Sequence, residues 1–325
     1  MPVSEKSLIQ RIRRLSGTRR PAQVPLGIGD DASILRIPPG HEVLVTTDFS
    51  LEGVHFRRDW HLPESVGHRC LARGLSDIAA MGGQPIAAFL SLAIPADLPQ
   101  KWVNEFLRGL LALAKEHGVA LAGGDTAQSP ALGSSANILA DIVVVGSAPR
   151  GQALRRSGAQ PGDSIYVTGK LGASALTLAT LYAHPKKKLR PDTHAAHFYP
   201  EPRLAVGRYL REHGIANSLI DLSDGLSTDL HHLCEESAVG AEVVAELVPR
   251  SDGTTLEQAL HGGEDYELLF TAPAQCKVPG RIAGVAVTRV GKIRGGRQVI
   301  LLERLRRRKL SPRGWEHFKN PQRPS

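Results

Sequence analysis

Cysteine is scarce in this chain. There are three in 325 residues, Cys70, Cys234 and Cys276, far apart and without a CxxC pair. That argues against a disulfide framework and against a structural zinc site, and leaves ordinary thiols in a reducing cytoplasm. Aromatic residues are only 5% of the chain while hydrophobic residues reach 42%, so a core must be built mainly from Leu, Val, Ile and Ala. No apolar run approaches the ~18 residues of a membrane span. Residues 1–15 lack the apolar centre of a signal peptide. Instead Leu8, Ile9, Ile12 and Leu15 recur at helical spacing and predict a short amphipathic helix. No membrane partner is expected.

Several chemical signatures are missing as well. There is no GxxxxGK[ST] phosphate loop, no HRD or DFG set, no GxSxG elbow and no HExxH. His231 and His232 are sequence neighbours on a predicted helix, where adjacent side chains diverge, and read as ordinary histidines. Without a strong base or nucleophile, the chemistry must be one that metals and positioning can carry, and phosphoryl transfer fits. The formal net charge of +8 raises the question of nucleic acid. However, much of the excess sits in KKKLR (186–190) and RLRRRK (304–309), with no RNA-binding or helix-turn-helix signature beside them. These runs read as solvated surface, and no nucleic-acid partner is expected.

What is present alternates between strand-like and helix-like blocks. Residues 43–47 and 87–94 predict strands. Residues 64–82 and 98–117 predict helices, the second with Trp102, Phe106, Leu110 and Leu113 on one stripe. A Gly-, Pro- and Arg-rich stretch over 148–163 marks a joint, giving domains at 1–149 and 150–325. A second set follows, with strands at 164–168, 219–222 and 266–271, helices at 172–183 and 226–237, and two more strands within 285–302. The fold class is α/β (α+β), with two layers per domain.

The acids fall in a pattern. Six Gly- or Ser-rich breaks carry one or two of them, mostly at strand ends: GIGDD (27–31), TTD (46–48), SD (76–77), GGDT (123–126), DLSDG (221–225) and GGED (262–265). Magnesium takes oxygen ligands and usually one or two carboxylates beside substrate phosphates. Small neighbours let backbone and carboxylate approach ion and phosphate closely. Each loop alone has a plain alternative: GxGDD is an ordinary turn, and Asp221 or Asp224 could simply cap the following helix. Asp30 and Asp31 would diverge on an extended backbone, which leaves one of them as the primary ligand.

Taken together, GIGDDAS, TTDFSLEGVHF, GLSDIAAMGGQP, AGGDT, YVTGKLG, IDLSDGLSTDL and GGEDYELLF resemble, in order and separation, the motifs of the thiamine-monophosphate kinase family. A weaker echo lies at RGWEHF (313–318). The resemblance implies the two-domain fold of the aminoimidazole ribonucleotide synthetase-like superfamily, with N-terminal domains pairing across a homodimer and a C-terminal domain closing over the nucleotide. It implies ATP-dependent conversion of thiamine monophosphate to thiamine diphosphate, with several Mg2+ ions and no protein base. By position, Asp31, Thr46, Thr47, Asp48, Asp77, Asp125, Asp221 and Asp224 resemble the metal ligands. Gly124, Asp125, Arg156 and Ser223 resemble ATP contacts, and His55, Glu264 and Trp315 substrate contacts. The rival readings are a sister enzyme that closes a nucleotide ring with ATP, a non-catalytic nucleotide-binding protein, and a basic RNA-associated protein.

Overall fold

A computed structural model of the chain describes residues 5–17, 21–130, 136–316 and 318. Its contacts divide it into two units, Met1–Ile78 with Gly83–Gly151, and Ala79–Gly82 with Gln152–Ser325.

The first unit starts with α1 (Glu5–Leu15), which buries Leu8 and Ile12 and leaves Ile9 and Leu15 exposed. Then come β1 (His41–Leu51), α2 (Pro63–Ala80), β2 (Gln84–Ile94), α3 (Gln100–Glu116), β3 (Ala120–Gln128) and β4 (Leu139–Pro149). The four strands form one sheet in the order β1-β4-β2-β3, antiparallel except for the β2–β3 pair. On α3 the apolar stripe is real. Val103, Phe106, Leu107, Leu110 and Leu113 are buried, and Trp102 stacks on Phe106 at 5.5 Å between ring centroids. One face of the sheet is buried, carrying Ala88, Leu90, Ile142 and Val144; the other is covered at β2, where Val24, Leu35 and Ile37 pack with Ala87 and Phe89, and is open over β1. On the open face β1 presents Val43, Val45 and Phe49, with Val45 66% and Phe49 61% exposed.

The second unit contains β5 (Ser164–Thr168), α4 (Ala173–Ala183), α5 (Ala195–Phe198), α6 (Leu204–Glu212), β6 (Ser218–Asp221), α7 (Leu226–Glu236), β7 (Gly240–Val244), α8 (Leu256–His261), β8 (Leu268–Ala272), β9 (Arg281–Ile282), β10 (Val285–Arg294), β11 (Val299–Glu303) and β12 (Arg306–Lys309). Its mixed sheet runs β12-β11-β7-β10-β5-β8-β6, with β9 on β10. A continuous core of Ile165, Val167, Leu230, Leu233, Val243, Leu260, Leu269 and Leu301 lies on one side of the sheet. The basic run 304–309 is mostly β12, two of whose arginines form ion pairs: Arg307 with Glu242, and Arg308 with Glu257 and Glu303. Cys70, Cys234 and Cys276 are all free thiols. No helix among the described residues is long and apolar enough to cross a membrane.

Candidate functional site

In the first unit, β1 splits the Thr-Thr-Asp run between its two faces, because successive side chains on a strand point opposite ways. Thr46 and Asp48 face α2. The Thr46 hydroxyl donates to the Asp77 carboxylate, and Asp48 lies 4.0 Å from the Arg73 guanidinium. Thr47 faces the open side, where its hydroxyl donates to Asp141 at 2.7 Å. Asp141 is paired across the sheet with Phe49 and Ser91, and Ser91 with Asp125, so these residues form one row on the open face.

Asp125 follows Gly124, which has φ +144°; a Cβ there would stand 1.9 Å from the Leu90 carbonyl oxygen, so only glycine lets β3 approach β2 this closely. The GIGDDAS loop is tied to the same strand, with Ser33 Oγ donating to the Ala122 carbonyl at 2.6 Å. Residues 28–32 are a run of bends rather than extended chain, and the Asp31 N–H is held by the Asp30 carboxylate at 2.9 Å. The alternation expected for an extended Asp30-Asp31 pair therefore does not apply. His55 turns back on its own strand, its Nδ1 accepting from the Leu51 N–H at 3.0 Å, beside a small cavity lined by Ser50, Phe56, Val66, Arg69 and Arg73.

In the second unit two of the acidic loops run side by side. The Glu264 N–H donates to the Ser223 carbonyl at 2.8 Å and the Tyr266 N–H to the Leu222 carbonyl at 2.9 Å. Glu264 and Tyr266 hold this geometry with φ of +64° and +51°, a conformation non-glycine residues rarely adopt. The Trp315 N–H donates to the Asp224 carbonyl at 3.2 Å. Ser223, Asp224, Glu264 and Trp315 thus come together in one place, with Asp221 buried at the end of β6 just before them. Arg156 does not join them through its backbone. Its carbonyl accepts from Ser237 Oγ at the far end of α7, an 11-residue helix spanning about 16 Å.

The first turn of α7 is capped unexpectedly. Its N-cap is Gly225, which has no side chain to offer, so neither Asp221 nor Asp224 fills that position. Asp229, 2% exposed, reaches back instead and accepts from the N–H groups of both Asp224 and Gly225, at 3.1 and 3.0 Å. Burial, with Asp221 and Asp224 close by, pushes its carboxyl well above the usual range. One element away, Asp265 does the same for α4, whose N-cap is Gly172, accepting its N–H at 2.9 Å; burial raises its pKa to about 7.

Family comparison fits these loops. A family model described as "AIR synthase related protein, N-terminal domain" matches residues 29–148, and its C-terminal counterpart matches residues 160–301. The thiamine-monophosphate kinase of Salmonella typhimurium is 40% identical over 84% of this chain and 84% of its own length. That of Bacillus subtilis is 34% identical over 92% and 95%. The chain belongs to the thiamine-monophosphate kinase family. Among solved structures, the thiamine-monophosphate kinase of Stenotrophomonas maltophilia K279a superposes with a TM-score of 0.78 at 35% identity, over 93% of this chain and 97% of that one. AaThiL complexed with AMPPCP and TMP gives 0.76 at 32% identity, over 97% of each.

Sequence reading missed two acids in this family member. Asp141 is one, and its signal was a lone acid inside the apolar run LADIVVVG, which only a partner strand could make meaningful. Asp229 is the other. It lies four residues after Gly225, where an acid in a helix's first turn passes for solvent-facing. Asp224, Asp229 and His232 offer ligand atoms within 4.8 Å of one another, which also gives one member of the His231–His232 pair a place beside the loops.

Proposed function

We propose that this chain transfers the γ-phosphoryl group of ATP directly, in line, to the phosphate of thiamine monophosphate, releasing ADP and thiamine diphosphate. The observation that carries this reading is the joining of Ser223, Asp224, Glu264 and Trp315 by main-chain hydrogen bonds in a chain of this family. A similar protein solved with an ATP analogue and TMP supports the same pair of substrates.

The donors are carboxylates and hydroxyls, the hard oxygens that Mg2+ takes. Asp31, Thr46, Thr47, Asp48, Asp77 and Asp125 would hold ions in the first unit, and Asp221 and Asp224 in the second. Bound magnesium supplies neutralisation of the phosphates' negative charge. The protein's own part is positioning. Gly124 lets β3 lie tight against β2 and so fixes where Asp125 stands for the nucleotide. Arg156 adds a permanent cation, and Ser223 a hydroxyl for the nucleotide. Glu264 and Trp315 take the acceptor's cationic ring, the indole by its π face. His55, its Nδ1 accepting from the Leu51 N–H, is proposed as a further substrate contact. No protein base is required, because a phosphate monoester with a second pKa of about 6 is already largely dianionic at neutral pH.

The chain is proposed to act in the cytoplasm as a homodimer, with no nucleic-acid or membrane partner. The exposed Val43, Val45 and Phe49 on β1 support the dimer, since an apolar strand face of that kind is normally covered. Incubation with ATP, Mg2+ and thiamine monophosphate, followed by chromatography of the thiamine phosphates, tests the reaction. Diphosphate formed by the wild type, and lost both with EDTA and in Asp125→Asn, is expected. No diphosphate from folded protein that binds ATP refutes it.

A further inference from the structure

The last described stretch of the chain is strapped onto the first turn of α7 by contacts that continue from one residue to the next. The Arg313 N–H points at Ser227 Oγ at 3.4 Å, and the Gly314 N–H donates to Thr228 Oγ1 at 3.0 Å. The Trp315 N–H then donates to the Asp224 carbonyl at 3.2 Å. The strap fits because residue 314 is glycine. A Cβ there would stand 1.9 Å from the Asp224 carbonyl oxygen and 2.6 Å from Thr228 Oγ1, distances no real side chain shows.

The Arg313 side chain fastens the other edge. Its Nη2 reaches the Glu257 carboxylate and lies 2.6 Å from His261 Nε2. Arginine only donates, so Nε2 accepts and the imidazole proton sits on Nδ1, which donates to Ser227 Oγ at 2.7 Å. Burial, and then the Arg313 charge, hold His261 down to about 4, so this bridge is uncharged at the ring in neutral solution. Ser227, in the first turn of α7, therefore receives the strap from two directions.

Resting on the function proposed above, we propose that Arg313 and Gly314 are positioning residues for the acceptor substrate. They seat the strap on α7 so that Trp315 is presented to the thiamine ring from a fixed place beside the Asp221–Gly225 loop. Neither residue has to touch the substrate. They act through Trp315, and that makes the proposal separable from a plain contribution to stability.

The test is steady-state kinetics on the full chain for wild type, Gly314→Ala, Arg313→Gln, Trp315→Ala and the double variant Arg313→Gln/Trp315→Ala, varying each substrate in turn. The expected result is a KM for thiamine monophosphate raised roughly tenfold or more in Gly314→Ala and Arg313→Gln, with the KM for ATP within about twofold of wild type. Because Arg313 works through Trp315, the double variant should be no worse than Trp315→Ala alone. Thermal melting checks each variant, and if Gly314→Ala melts early, Arg313→Gln, at a half-exposed surface ion pair, decides. An active wild type with an unchanged KM for thiamine monophosphate in Arg313→Gln overturns this inference and leaves the function standing. So does a double variant whose loss is the product of the two singles. A wild type that makes no thiamine diphosphate overturns the function, and this inference with it.

Discussion

Asp229 offers the sharpest link between local structure and the proposed chemistry. In Asp229→Ala the N–H groups of Asp224 and Gly225 lose their acceptor, and Gly225 is buried. A buried donor left unsatisfied costs about 1–3 kcal/mol. Water can reach the half-buried Asp224 N–H, so the full penalty falls on Gly225. Against this stands a gain, because a carboxyl buried beside Asp221 and Asp224 is itself unfavourable, as its raised pKa records. The net loss should be about 1 kcal/mol, a melting-point drop of roughly 2–4 °C for a unit of this size. Asp229→Asn keeps one acceptor oxygen without the charge and should lose less than half as much. Activity should separate from stability: with Asp224 no longer held from behind, the Mg2+ concentration for half-maximal rate should rise several-fold in Asp229→Ala, at temperatures where the variant is fully folded. Thermal melts and a Mg2+ titration of the kinase reaction measure both. An Asp229→Ala protein melting within 1 °C of wild type, with an unchanged Mg2+ requirement, would refute the reasoning.

Other expectations concern the same unit. Arg203 makes a bidentate pair with Glu267, at 2.8 and 2.5 Å, and Glu267 also accepts from Thr168 Oγ1. Arg203→Met strands a buried carboxylate and should cost about 3–5 kcal/mol in urea unfolding, most of it recovered in Arg203→Met/Glu267→Met. Equal losses in single and double variants would contradict this. Asp265 sets a pH trend. Its folded pKa of about 7 lies above the ordinary 3.8, so between those values the folded chain keeps a proton that the unfolded chain has released. Its contribution therefore favours folding at the acid end and is lost as the pH rises towards 7, with no further slope above. Urea midpoints from pH 4 to 8 should show that component in wild type and not in Asp265→Asn. Parallel profiles would remove Asp265 as its source.

Much of this architecture was legible in the sequence. The apolar stripe of α3 and the β-branched run of β5 each follow from a period that local residues impose. Where sequence reading stopped short, pairing decided. β3 continues through GGDTAQ, poor strand formers that stay extended because β2 is hydrogen-bonded alongside them from Ala120 to Gln128. β12 is RRRK, which reads as solvated charge and becomes a strand only beside β11. The acidic segments stood out because Gly, Ser or Thr accompany them, although 46–48 and 123–126 lie within β1 and β3 and 76–77 within α2 rather than in loops. Asp229 did not, since its role is defined by two N–H groups that lack an acceptor only once Gly225 becomes an N-cap.

The Thr46–Thr47 pair carries the same lesson into a decisive test. In sequence the two threonines look like equivalent oxygens beside Asp48. On β1 their side chains leave opposite faces of the sheet, Thr46 bonded to Asp77 and Thr47 to Asp141. No single ion can take both hydroxyls, so the two must serve separate ions, or one must act by its carbonyl. Thr46→Val removes a donor from Asp77 and Thr47→Val one from Asp141, with no partner in common. Although the two residues are neighbours in the chain, their side chains leave opposite faces and share no partner, so the two losses are expected to be close to independent. The fold-loss in kcat/KM of Thr46→Val/Thr47→Val should therefore equal the product of the single losses to within about twofold. Each single variant should also raise the Mg2+ requirement, because each relaxes a different carboxylate. A double variant no worse than the weaker single would mean that both hydroxyls meet one ion, which the two-faced geometry of β1 forbids, and the assignment of these residues to separate faces of the sheet would have to be abandoned.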